Sequence, residues 1–65
     1  MDTRFIREGR ILSYLKKYGE TSTGTVSKML GFNYYVARDQ LNDLFLKDKI
    51  NKKIEKRATY WTIKK

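Results

Sequence analysis

The sequence predicts an α+β, mainly helical domain in which three helices precede a two-stranded β-hairpin. Three observations carry this reading. Apolar residues recur at three and four positions as far as Leu46, the period of helices packed by one face. Glycines and small polar residues interrupt that run at Gly19 to Gly24 and again at Gly31. From Ile50 the period changes, and INKKIEKRATYWTIKK, rich in β-branched and aromatic residues, reads as strands.

Each element has its own signals. Asp2 or Thr3 caps a first helix, residues 3–18, and Asp2 is also favourable at its positive end. Phe5, Ile11, Leu12 and Leu15 form its inward stripe, and Lys16 and Lys17 suit its last turn. Gly9 weakens it by up to ~1 kcal/mol relative to alanine. Gly19 ends it. ETSTG is a polar connection. Ser22 or Thr23 then caps a short second helix, residues 24–30, with Val26, Ser27 and Leu30 inward. Gly31 stops that helix, and Phe32 plugs the turn as a core residue.

Asn33 caps the third helix, residues 34–47, which has no internal glycine or proline. Ala37, Leu41 and Leu44 share one face; Leu41, Leu44 and Phe45 bury against the first helix, and Leu46 covers an edge. Asp48 and Lys49 form the exit. The strands, residues 50–56 and 59–64, join at Arg57 and Ala58. Trp61 and Ile63 share the inward strand face, and Tyr60 and Thr62 the outer one. The Lys64–Lys65 pair frays. Three helices followed by a hairpin is the order of a winged helix-turn-helix, here a single domain spanning residues 1–65.

Composition narrows the function. The chain has 65 residues, fifteen Lys and Arg against seven acids, and a net charge of +8. A domain this small buries only about 60% of its unfolded surface, so its stability is marginal. Charge of this sign and density draws anionic partners, nucleic acid first. Cysteine and histidine are absent. No disulfide is possible, a metal would find only carboxylates, and no cofactor motif is present. Ser and Thr nucleophiles would lack a base, so an enzyme is not expected. The absence of a signal-peptide pattern and of a membrane span leads to a cytoplasmic expectation.

The candidate DNA-binding residues fall in three groups. In the third helix, Tyr34, Tyr35, Arg38 and Asn42 lie off the apolar stripe. A helix fits the major groove of B-form DNA with its N-terminal residues at base edges. Arg38 can fork onto guanine, worth ~1–3 kcal/mol of discrimination, Asn42 can pair with adenine, and the tyrosines can meet phosphates or thymine methyls. Asp39 and Asp43 repel phosphate and must face sideways or hold Arg38. At the hairpin tip, Lys52, Lys53, Lys56 and Arg57 suit the backbone or minor groove, Lys52 the weakest of the four. Lys52 shares parity with Ile50 and Ile54, which aims it toward the core. At the start of the second helix, Thr23, Thr25 and Lys28 form a phosphate site. Trp61 is the largest core candidate.

The whole chain resembles a minimal winged helix-turn-helix domain through ILSYL, TVSKMLGF, VARDQLNDL and ATYWTI. Within that superfamily it is most similar to the small FaeA- and PapI-type regulators of fimbrial operons. The shared runs are Tyr35, Ala37 and Arg38 at the head of the recognition helix and Ala58 to Trp61 on the last strand. The resemblance implies a DNA-bound co-regulator of transcription acting beside a larger regulator. The wing departs from that pattern: it is shorter and ends in Lys56–Arg57 without the usual glycine. Similar domains occur in archaeal and viral regulators and in Z-DNA-binding domains. The last use an asparagine and a tyrosine where this chain has Arg38 and Asn42.

The expected function is therefore sequence-specific binding of double-stranded DNA and regulation of transcription. One short domain reads only a half-site, so a larger DNA-bound regulator or a second copy is the expected partner. The rival is a protein-interaction module that uses the tyrosines of the third helix as an apolar patch. Single-strand binding through Tyr60 and the wing is a third reading.

Overall fold

A computed structural model describes residues 3–64, with no account of the side chains of residues 3 and 4. The expected cap at Asp2, and Lys65, lie outside the described residues, whereas Thr3, the other expected cap, is the first residue of α1. The order is α1 (Thr3–Tyr18), β1 (Thr21–Ser22), α2 (Thr23–Leu30), α3 (Tyr34–Leu46), β2 (Ile50–Glu55) and β3 (Ala58–Ile63). The architecture is a winged helix-turn-helix, with one addition to the expected hairpin. The connection after α1 is a short strand, so the sheet is three-stranded and antiparallel in the order β1-β3-β2. Thr21 pairs with Trp61 and Ser22 with Tyr60. Two polar residues carry no periodicity of their own; only the presence of β3 alongside makes them a strand.

The helix ends follow local chemistry. Gly19, at φ 79°, closes α1 by donating to the Leu15 carbonyl at 2.8 Å. Ser22 caps α2, its Oγ accepting from Thr25 N at 3.3 Å. Gly31 takes φ 73°, and Phe32 N donates back to Ser27 O at 2.9 Å, a pairing that satisfies the last turn of α2. Ser27 Oγ answers by donating to Phe32 O at 2.8 Å. Asn33 caps α3 through Tyr35 N at 2.9 Å. The helix-turn-helix is thus tied by hydrogen bonds at each of its bends.

The core is Ile11, Leu15, Val26, Ala37, Leu41, Leu44, Ile50 and Trp61, with Leu12, Leu30, Phe32 and Ile63 packed around it. Phe5 is not part of it; it is 72% exposed. Helical geometry places Phe5 roughly 120° from Ile11, on the flank of the stripe. Glu8 takes the inward position instead. Its carboxylate accepts from Lys49 Nζ at 3.1 Å and Lys47 Nζ at 3.3 Å, tying α1 to the exit of α3. The bond from Lys49, then that from Lys47, holds the Glu8 carboxyl below its ordinary value of 4.5 against the opposing effect of burial. Phe45 is exposed rather than buried, because α3 ends there and only its Leu41–Leu44 side meets α1; Leu46 beside it is exposed as well.

The hairpin turn falls one residue earlier than its expected place. Glu55 pairs with Ala58, leaving Lys56 and Arg57 as a two-residue loop. Both take positive φ, 48° and 75°, as a type I′ turn requires. Lys64 does not hang free of the body: its N donates to Lys49 O at 3.3 Å, and its ammonium pairs with Asp48.

Candidate nucleic-acid interface

Buried Ala37, Gln40, Leu41 and Leu44 commit one side of α3 to the body, so Tyr35, Arg38, Asn42 and Phe45 form a ridge on another side. Tyr34 and Tyr35 are both exposed at the head of that ridge, their rings edge-to-face with centroids 5.7 Å apart. Arg38 is exposed, and its guanidinium lies over the Tyr35 ring, 5.2 Å from the centroid. Stacking on an aromatic face orients the planar guanidinium without consuming its donors. Arg38 Nε is 4.0 Å from Asp39 Oδ1, a long and exposed pair that holds little energy. Asn42 is half-buried one turn further on. Asp43, the other troubling acid, pairs with Lys47 at 3.0 Å and so faces the exit of the helix.

The base of the wing adjoins the far end of this ridge. Lys52 pairs with Trp61 across the hairpin, as its parity requires. Its side chain does not enter the core, however. It is exposed, with the ammonium 5.8 Å from the Phe45 ring centroid and 5.7 Å from that of Trp61. The hairpin overhangs the helical body: Ile50 is buried, whereas Ile54 on the same strand face is 70% exposed. Lys52, the weakest of the four wing candidates on parity, is therefore part of the candidate surface. The signal that could have found it was the pairing of a short core with a strand too long to be covered.

The remaining wing residues divide. Lys56 and Arg57 are exposed at the tip. Lys53 is also exposed but engaged, 3.2 Å from Glu55 and 3.9 Å from Glu20. The hydrogen bond to Glu55, with both carboxylates' charge, raises its pKa above the ordinary 10.5. A phosphate must compete with those acids for Lys53.

At the head of α2 the expected phosphate site loses Thr23 to the core. Thr23 is 4% exposed, and its Oγ1 accepts a 2.8 Å hydrogen bond from Trp61 Nε1. Its side chain is part of the core and cannot reach a phosphate. Thr25 and Lys28 are exposed, with Thr25 Oγ1 2.9 Å from Ser22 Oγ. The structure thus brings Tyr34, Tyr35, Arg38, Asn42 and Lys52 along one ridge, with the wing tip beyond it. Among the described residues there is no cluster of acids that could hold a metal ion, and no helix is long and apolar enough to cross a membrane.

No protein-family model matches the chain, and no curated protein matches it. Solved structures do. The Zalpha domain of Carassius auratus PKZ in complex with Z-DNA superposes with a TM-score of 0.88 at 19% identity, over 97% of this chain and 100% of its own. The apo-Zalpha of zebrafish PKZ also gives 0.88, at 21% identity over 95% of this chain and 97% of its own. NolR from Sinorhizobium fredii gives 0.76 at 14% identity; the match covers 98% of this chain but 60% of NolR. At these identities the likeness is one of fold, and the fold is the winged helix-turn-helix.

Proposed function

We propose that the chain binds double-stranded DNA and regulates transcription, working in the cytoplasm on nucleoid DNA. The ridge of α3 enters the major groove, and the wing tip lies on the backbone or in the minor groove. The observation that carries this is the continuity from Tyr35 and Arg38 along α3 to Lys52, in a chain of net charge +8. Arg38 reads a base, most simply guanine through O6 and N7. Lys52, Lys56, Arg57 and Lys28 supply phosphate contacts, which set register and most of the affinity. The likeness of Tyr35–Arg38 and Ala58–Trp61 to the fimbrial-operon regulators supports the regulatory part of the reading, alongside a larger DNA-bound partner.

Selection of bound sequences from random duplex DNA tests this. A recovered motif with a guanine that depends on Arg38 is the expected result. Unmeasurable duplex binding at ~50 mM salt would refute DNA binding altogether, since a domain so basic should show at least non-specific affinity there.

One rival has a specific observation behind it. The Carassius auratus neighbour was solved with Z-DNA. The Z-DNA-binding pattern of asparagine and tyrosine is replaced here by Arg38 and Asn42, which favours the B-form reading. Circular dichroism of an alternating CG duplex decides: an inverted duplex spectrum on adding the protein would carry the Z-form reading instead.

A further inference from the structure

α1 and the end of α2 enclose a groove that the proposed DNA surface leaves unused. At roughly 100° per residue, positions 6, 10, 13 and 17 lie opposite 8, 11 and 15. Ile11 and Leu15 are buried, and Glu8 reaches to Lys47 and Lys49, so that side of α1 is the one joined to α3. Between that outer side and the end of α2, Ile6, Tyr14, Tyr18 and Leu30 wall a groove of about 510 Å³, with Tyr14 and Tyr18 on the flank of the buried stripe, roughly 60° and 20° round the helix from Ile11. Ile6 and Tyr18 are exposed there, as is Met29 beside Leu30. The Tyr14 and Tyr18 rings lie 4.6 Å apart and make one aromatic wall.

The charged residues described in the groove are of one sign. Arg10 and Lys17 line it, and among the described residues no carboxylate does. Lys17 lies 5.2 Å over the Tyr18 ring, and Arg10 is fixed by a 3.2 Å bond to Leu30 O. Gly9 also lines the groove. A Cβ at Gly9 would meet nothing within 4 Å. Internal packing therefore does not require glycine at this helix-interior position, where alanine is the better helix former.

We propose that this groove docks an acidic amphipathic helix of a protein partner. Leucine or phenylalanine side chains at i, i+3 and i+7 enter between the tyrosines, Ile6 and Leu30, the usual way a groove accepts a helix. Flanking carboxylates meet Arg10 and Lys17, and Gly9 lets the incoming backbone approach. A second copy of the chain is the wrong occupant. A two-fold contact here would set Arg10 and Lys17 against their own equivalents, between molecules each of net charge +8. The described residues that line the groove come from α1 and the end of α2 and not from α3 or the wing, so partner and DNA can be held together.

The test uses the full chain, isotopically labelled and free of DNA, titrated with a synthetic acidic peptide. The peptide carries Leu and Phe at helical spacing and Glu elsewhere; a scrambled peptide of the same composition is the control. Amide shifts should concentrate on residues 6–18 and 29–30 and be absent with the scrambled peptide. Arg10→Glu with Lys17→Glu should weaken binding at least about tenfold, as should the charge-neutral pair Ile6→Ser with Tyr14→Ala. Gly9→Ala should raise thermal stability yet weaken the peptide. Shifts shared with the scrambled peptide and spread over the wing would reduce the effect to bulk charge and overturn the proposal. So would no shifts at all, or a concentration-dependent dimer in sedimentation that the peptide cannot displace. The Ile6–Tyr14 variant keeps its charge and should hold duplex DNA within about twofold of the parent, so failure of the groove and failure of DNA binding are read separately.

Discussion

Trp61 Nε1 donates a 2.8 Å hydrogen bond to Thr23 Oγ1, and both residues are buried. This bond joins the last strand of the wing to the first residue of α2. It positions the wing relative to the helix-turn-helix and removes Thr23 from the proposed DNA surface in the same stroke. Thr23→Val strands the indole N–H in the core and should cost about 1–3 kcal/mol of stability. Below the lowered melting temperature, duplex binding should match the parent. Lost binding by a fully folded Thr23→Val protein would return Thr23 to the phosphate contacts. Trp61→Ala, in contrast, should leave the chain unfolded, because truncating so large a buried side chain costs about 3–5 kcal/mol in a domain with little to spare.

Arg38 lies over Tyr35 and has only a long, exposed contact with Asp39. Arg38→Ala should therefore lower affinity for a selected site about 10- to 100-fold more than for random duplex, the equivalent of one lost base contact. Equal losses on both DNAs, read by fluorescence anisotropy, would make it a phosphate contact. Tyr35→Leu removes the aromatic face but not the charge, and should reproduce part of the specific loss.

The wing tip sets stability against binding. Lys56 and Arg57 both take positive φ, which costs a residue bearing a Cβ about 1–2 kcal/mol each. Lys56→Asn with Arg57→Gly gives the turn its preferred residues and should raise the melting temperature. The same change removes two cations. If both touch phosphate, the slope of log K against log salt should become shallower by about 1.8. An unchanged slope would make the tip a solvated guard of the hairpin edge and nothing more.

Glu8 makes the fold sensitive to acid. Its carboxyl is held below 4.5 by Lys49 and Lys47, so the folded state prefers the ionised form more than the unfolded state does. That contribution is fully present above about pH 4.5 and is lost as pH falls through the lower, folded value. Denaturant melts of the parent should weaken over this window. In Glu8→Gln this component should vanish from the pH profile, with lower stability at neutral pH; a profile identical to the parent's would assign the acid loss to other carboxylates.

The sequence by itself determined the elements. The 3.6-residue period, the caps at Asn33 and Ser22, the left-handed glycines at 19 and 31 and the change of period at Ile50 are local signals, and each folds as local energetics dictate. The ridge of Tyr35, Arg38 and Asn42 was legible for the same reason, since a helix face follows from spacing alone. Tertiary structure decided whatever depends on a neighbour distant in sequence. Thr21 and Ser22 become a strand because β3 offers unpaired backbone groups beside them. Thr23 turns inward because the Trp61 indole needs an acceptor, and Glu8 because two lysines from the end of α3 supply its counter-charge. Lys52 and Ile54 keep the inward parity of their strand but stay in water, since the core ends before the hairpin does. Periodicity says which way a side chain points; only packing says whether anything is there to meet it.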